Sequence, residues 1–275
     1  MQMNRALDIV VARYNESVDW TRQYSSALIY NKGVPDDSIV SINLPNVGRE
    51  GHTYLYHIVS NWDNLAEWTV FVQGSQPHTR FNSENKQPIG HLYSNTVLDD
   101  YFEAQGNHRF VFTHTISFDL KYLRFRSGSR RYINIDRPVG QYPRGDSVDK
   151  WLHWGFNSTS LEEIRLAQNG RKFPDFWRCV LKRPDPTNGL VYFAQGAEFA
   201  VSKNAIRRNS LDYYLALLNE LSMRNDPYQV WYLEFCWYYI FADQDESAVV
   251  PADYGPFDRY LDRLIRIASR FRQLI

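Results

Sequence analysis

Apolar runs and amphipathic stretches alternate along the first eighty residues. Residues 7–12 (LDIVVA) form an apolar run, as a strand buried in a parallel sheet requires. Residues 13–24 (RYNESVDWTRQY) predict the opening of a helix. Residues 27–32 (ALIYNK) and 39–44 (IVSINL) predict two more strands, stopped by Gly33 and Pro35 and by Pro45. Residues 48–62 (GREGHTYLYHIVSNW) carry Tyr54, Leu55, Ile58 and Trp62 at helical spacing and predict an amphipathic helix. Residues 69–72 (TVFV) predict a fourth strand, ended by Gln73-Gly74. This alternation predicts an α/β fold with a mixed, mostly parallel sheet flanked by helices.

The pattern weakens over residues 81–186. Helices are expected at 95–104 and 160–169, and a strand pair at 110–120 (FVFTHTISFDL). Residues 126–147 are rich in Gly, Pro and Arg and predict a long loop. Residues 190–202 (LVYFAQGAEFAVS) predict strand, turn, strand. Helices follow at 209–223, with Leu211, Leu215, Leu218 and Leu221 as the apolar face, at 229–242, and at 257–274. In the last, Arg259, Arg263, Arg266 and Arg270 make one stripe beside Asp258 and Asp262, either a solvated face with local ion pairs or a partner surface. The helical C-terminus completes an expected single domain over residues 1–275.

Composition narrows the partners. Thirty-one basic residues balance 31 acidic ones, so nothing favours a polyanion such as nucleic acid. Aromatics reach 16%, enough to fill a core and to stack on sugars or bases. Cys179 and Cys236 stand far apart without metal spacing, so no disulfide framework is expected and a cytoplasmic location is. The N-terminal stretch is too short and polar for a signal peptide, and no run has the length of a membrane helix. Neither G-x-S-x-G nor HExxH occurs, and the seven histidines are scattered.

Four stretches hold candidate chemistry. In ARYNE, residues 12–16, Arg13, Asn15 and Glu16 follow a strand end, where ligands of open α/β sheets bind; the same residues also suit a helix start capped by Asn15 or Ser17. In NVGREGH, residues 46–52, Gly48 and Gly51 permit close backbone approach, and Arg49 with a helix N-terminus suits a phosphate; a tight turn with a surface Arg is the alternative. The spacing is neither a P-loop nor a Rossmann fingerprint. In GAEFAVS, Glu198 follows a small-residue turn. In YLEFCWYYIF, residues 232–241, Glu234 is a lone carboxylate on an aromatic helix, suited to a raised proton affinity or to a salt bridge with an Arg.

Together VVARYNESVDW, IYNKG, LPNVGREGHTYLYHIV, TVFVQGSQPH, GAEFAVSKNAI and LEFCWYYIF resemble the conserved blocks of a family of domains of unknown function. The resemblance covers residues 8–78 and 190–241 and is weak between them. Glu198 departs from it, since the family more often has Gln there. That family in turn is similar to glycosyltransferases of the GT-A type, a single nucleotide-binding α/β domain around a mixed sheet. The resemblance implies a nucleotide-binding half at 1–80, a possible acceptor region at 81–186 and a catalytic, helical part at 187–275. It further implies a UDP- or GDP-type sugar donor and a carbohydrate or other hydroxyl acceptor, with no nucleic acid partner and no membrane span.

In such enzymes the fourth strand commonly ends in Asp-x-Asp, which holds Mn²⁺ or Mg²⁺ on the sugar diphosphate. Here QGSQPH stands in its place, so no metal is expected to be obligatory, although His78 could ligate one. The donor site is expected to draw on Arg13, Asn15, Glu16, Lys32, Arg49, His52, Gln73 and His78, with arginines of 124–144 adding positive charge. By the same resemblance Glu234 is the general base of an inverting transfer, and Glu198 its rival or an acceptor-binding group. A protein that kept the fold and binds nucleotide or sugar without turnover is the alternative, as is an interaction protein using the Arg stripe.

Overall fold

A computed structural model describes residues 5–75, 161–184 and 197–241, with strand segments at 110–112, 117–119, 124–126, 131–134, 146–147 and 190–193. The expected helices at 95–104 and 257–274 and His78 lie outside the described residues. All described residues belong to one compact unit within Met1–Ala242.

The first strand, β1 (Leu7–Arg13), lies inside a six-stranded sheet with β2 (Ala27–Asn31), β3 (Ser41–Asn43), β4 (Trp68–Gln73), β5 (Phe110–Phe112) and β11 (Phe199–Ser202). The order is β3-β2-β1-β4-β11-β5. β1 pairs parallel with both β2 and β4, with Val10 opposite Leu28 and Phe71. β2 pairs parallel with β3. β11 runs antiparallel between β4 and β5, with Phe199 opposite Phe71 and Phe112. The sheet is therefore mixed and mostly parallel.

Two sets of core residues coat the two faces, as the two-residue period of a strand dictates. Ile9, Val11, Val70, Val72 and Ala200 pack with Val18, Trp20, Tyr24 and Ile39 from the loops after β1 and β2. Val10, Phe71 and Phe199 pack on the opposite face against α1 (Arg49–Ser60), α5 (Leu211–Leu221) and α6 (Tyr228–Phe241). Tyr54 and Phe71, ring centroids 4.8 Å apart, begin an aromatic column that continues through Phe199 and Trp237 to Phe241. Each such side chain, fully buried, contributes about 1.5–3 kcal/mol, so the column fixes α1 and α6 over β4 and β11.

Helices α2 (Leu161–Ala167) and α3 (Phe173–Cys179) add Leu161, Phe173, Phe176 and Trp177 to the helical layer. Trp177 is buried, and its Nε1 donates to the Pro184 carbonyl at 2.9 Å, so it is a core residue. The short α4 (Lys203–Ile206) is capped by Ser202, whose hydroxyl accepts from the Ala205 N–H. Two further small sheets are present: β6 (Ser117–Asp119) with β7 (Arg124–Arg126), and β10 (Leu190–Phe193), β8 (Arg131–Asn134) and β9 (Asp146–Ser147) in that order.

Several expectations need correction. In place of the helix expected over 13–24, Arg13 ends β1 and residues 14–24 form a loop with only a 3-10 turn at Asp19–Gln23, because the Asn15 and Glu16 side chains bond backbone groups in competition with a helix. The strands at 110–112 and 117–119 do not pair with each other; β5 joins β11 and β6 joins β7. The stretch 126–147 is not loop throughout, since it contains β8 and β9. Helix α3 was not anticipated. On α5 the buried line is Tyr214, Leu217 and Leu221, not the line through Leu211 and Leu215. Tyr214 turns inward because its hydroxyl finds the Ile206 carbonyl at 2.8 Å.

Candidate functional site

β1 is joined to β2 on one side and β4 on the other, and the chain reverses its direction of growth there. Such a switch opens a crevice beyond the carboxyl ends of the two strands, the usual ligand position in sheets of this kind. Ala12 pairs with Gln73, so Arg13 and Gly74 stand at the carboxyl ends of the two strands, where such a ligand would lie.

On the loop side the chain is tightly drawn. Nε of Arg13 donates to the Glu16 carbonyl at 3.0 Å, and NH1 donates to Oδ1 of Asn31 at 2.7 Å. NH2 lies 3.7 Å from Asp36. Buried Arg13 thus ties together the loops after β1 and β2. Asn15 adopts φ 127 and accepts from the Val34 N–H at 2.8 Å. A Cβ on Gly33 would stand 2.2 Å from Oδ1 of Asn15, which explains glycine at that point of IYNKG. Glu16 accepts from the Tyr14 N–H at 2.6 Å, and a Cβ on Gly74 would lie 2.6 Å from its Oε2. Nε1 of Trp20 donates to the Gly74 carbonyl at 2.9 Å and pins the end of β4.

On the helical side, Lys32, Glu50, His52 and Glu198 gather near the start of α1. Lys32 is buried, and Nζ donates to the carbonyls of Val47 and Arg49, both at 2.5 Å. Burial lowers its pKa to about 7, opposed by the charge of Glu50; the two carbonyl dipoles also favour the ammonium. His52 is buried beside Lys32, and desolvation followed by that charge lowers its pKa to about 4. Its Nδ1 has no hydrogen-bond partner among the described residues.

Glu198 is 2% exposed, and burial raises its pKa to about 8. The Gln73 backbone N–H donates to its carboxyl and opposes the shift, while Glu50 adds to it. Glu50 thus has on one hand a carboxyl that favours its proton and on the other a lysine of weakened charge. Environments that push neighbouring titratable groups apart in this way are characteristic of sites that handle protons or polar ligands.

Arg49 holds φ 45, stacks over Trp231 with its guanidinium 4.8 Å from the ring, and lies 3.6 Å from Asp226. Glu234 is half-buried on α6. Helical spacing puts it on the face of Val230, Trp231 and Trp237; Trp231 meets Arg49, and both Val230 and Trp237 lie beside Gly51. Glu234 is thereby on the side of α6 that faces the start of α1.

The chain bears the signature of the family described as Protein of unknown function (DUF3431), over residues 9–253. The chain belongs to that family. No curated protein and no solved structure matches it. The match encloses every candidate residue, from Arg13 at the end of β1 to Glu234 on α6.

The expected donor residues therefore separate into two groups at one end of the sheet. Arg13, Asn15 and Glu16 organise the loop side, Lys32, Arg49 and His52 gather at the start of α1, and Gln73 ends β4; Glu198, expected as the rival base or an acceptor-binding group, lies near Gln73 and Glu50. His78 lies outside the described residues. Glu50 was missed, since an acidic residue in a first helical turn is ordinary. The described residues contain no group of three or more His, Cys, Asp or Glu able to hold a metal, and β4 ends in Gln73-Gly74-Ser75. The donor set there does not fit the metal of an Asp-x-Asp site. Nor is any helix among the described residues long and apolar enough to cross a membrane.

A second buried network was also missed. The Tyr30 hydroxyl and Nδ1 of His57 are hydrogen-bonded at 2.9 Å, and Nε2 of His57 lies 3.7 Å from Asp8. All three are buried within the layer between sheet and α1. Asp8, a lone charge in an apolar strand, was the available signal for it.

Proposed function

We propose that the protein is a nucleotide-sugar-dependent glycosyltransferase of the GT-A type. The observation that carries this is the switch in strand order between β1 and β4, beyond whose carboxyl ends stand Arg13, Asn15 and Glu16 on the loop side and Lys32, Arg49 and His52 at the start of α1. A mixed sheet and a carboxylate on a late helix facing α1 fit the same scheme. The donor is a UDP- or GDP-sugar, and the acceptor is a carbohydrate or other hydroxyl compound.

In this scheme Glu234 removes the proton from the acceptor hydroxyl as its oxygen attacks the anomeric carbon. The bond from that carbon to the phosphate oxygen breaks on the opposite face. The electron pair leaves with the nucleoside diphosphate, and the configuration inverts. General-base help of this kind contributes roughly 10²–10⁴-fold. Lys32, Arg49 and the N–H groups at the start of α1 supply the stabilisation of the leaving group. No step is assigned to a metal.

The test is transfer from a panel of UDP- and GDP-sugars to simple glycoside acceptors, with product anomers resolved by NMR. Glu234→Gln should cut turnover at least a hundredfold with binding retained; a near-wild-type rate removes Glu234 from the chemistry. Activity should survive a chelator, and complete loss on chelation overturns the metal-free scheme.

One observation favours a binding protein without turnover. Arg13, Lys32 and Arg49 all have partners within the protein, which reduces the charge available to a leaving diphosphate. A nucleotide-dependent rise in melting temperature without transfer to any acceptor would establish that alternative.

A further inference from the structure

Glu198 combines two features that packing does not relieve. Ala197, just before it, holds φ 51 in the left-handed region that disfavours any residue with a Cβ. The carboxyl it delivers is 2% exposed, and Oε1 has no hydrogen-bond partner among the described residues. Buried polar atoms are nearly always paired, and backbone strain collects where a group is held ready for a ligand.

We propose that Glu198 keeps its proton in the resting protein and donates Oε1–H to an acceptor oxygen of the ligand in the β1/β4 crevice. It is a binding residue, not a base. This rests on the transferase reading for the ligand's identity alone.

The surroundings favour the acid form. Burial and the negative charge of Glu50 on α1 hold the proton on, and together they outweigh the Gln73 N–H of β4, which donates to one carboxyl oxygen and favours ionisation. Glu234 is the charged residue on α6, and Lys32 shares Glu50 as a neighbour. An ionised Glu198 beside Glu50 would repel a phosphate. A protonated one makes the short O–H···O⁻ bond that such an oxygen accepts. A sugar hydroxyl offers the same acceptor chemistry with less charge. The carboxyl ionises only above about 8, so binding should weaken there.

The experiment has two arms. Calorimetry measures binding of UDP, GDP and UDP-glucose to the wild type, Glu198→Gln and Glu198→Ala between about pH 6 and 9. Carbon-13 NMR follows the Glu198 side-chain carboxyl carbon over the same range. Glu198→Gln, a neutral isostere, should bind within about twofold of wild type at neutral pH and lose the weakening at high pH. Glu198→Ala should bind roughly tenfold more weakly, the loss expected for one hydrogen bond. A loss with UDP or GDP alone places the oxygen on the diphosphate; a loss confined to UDP-glucose places it on the sugar.

Two results overturn the proposal: a carboxyl carbon titrating in the ordinary range, or Glu198→Gln binding as poorly as Glu198→Ala. If the wild type binds no nucleotide, the transferase reading falls and the NMR arm decides. A proton retained at neutral pH then supports a hydrogen-bond donor for a ligand of another class; an ionised carboxylate ends the proposal.

Discussion

Lys32 donates from Nζ to the carbonyl oxygen of Arg49 at 2.5 Å, so the residue after β2 holds the first turn of α1. The same ammonium takes the Val47 carbonyl. One side chain thus fixes the turn that precedes the helix and the backbone from which Arg49 reaches Trp231.

Replacing Lys32 with Met should leave both carbonyls without their donor at a cost of roughly 1–3 kcal/mol, read from the urea midpoint. The pH dependence has a defined sign. The folded pKa is about 7 against an ordinary 10.5, so the unfolded chain binds more protons between those values. Wild-type stability from this group rises with pH across that window and is lost as pH falls through about 7. The difference between wild type and Lys32→Met should follow that course.

Glu198 acts in the opposite sense. Its folded pKa of about 8 exceeds the ordinary 4.5, so the folded chain binds more protons between them. Its stabilising contribution is complete below about pH 4.5 and declines as pH rises through about 8. Glu198→Gln should remove that decline from a series of urea titrations. An unchanged profile would show that the carboxyl is ionised in the folded chain.

Tyr30→Phe should remove the hydroxyl hydrogen-bonded to Nδ1 of His57, an imidazole whose pKa burial lowers to about 3. Nδ2 of Asn61, 3.3 Å from the same nitrogen, remains as a partner. The expected cost is therefore that of one hydrogen bond, roughly 0.5–1.5 kcal/mol, seen as a lower urea midpoint with an unchanged slope.

Gly48→Ala should be among the more harmful small substitutions. Gly48 sits at φ 59, and a Cβ would meet Cβ and the carbonyl oxygen of Leu221, both at 2.7 Å. Neither atom is the end of a flexible side chain, so α5 and α1 would have to separate. A loss of roughly 1–3 kcal/mol is expected by chemical denaturation.

Much of the frame was legible because it is local. The apolar run of β1, the stops at Gly33, Pro35 and Pro45, and the spacing of Tyr54, Leu55 and Ile58 each act within a few residues. Helices α5 and α6 appeared within two residues of their expected ends. The loop after β1 was misjudged because Asn15 and Glu16 offer backbone partners that composition does not rank against a helix. Of the site, Arg13, Asn15, Glu16, Lys32, Arg49, His52, Gln73 and Glu198 were legible as polar residues at element ends. Their partners were not, since Asn31, Glu50, Asp226 and Trp231 arrive from other elements.

By itself the sequence determined the four strands β1 to β4 and the helix α1, and membership of its family, because periodicity, turn residues and long motifs act along the chain. Only the tertiary structure decided that β11 enters antiparallel between β4 and β5, that Arg13 closes a loop, and that the Glu198 carboxyl is buried near Glu50 at the end of β4. Those outcomes depend on strand pairing and desolvation between residues far apart in the chain, and no local pattern encodes them.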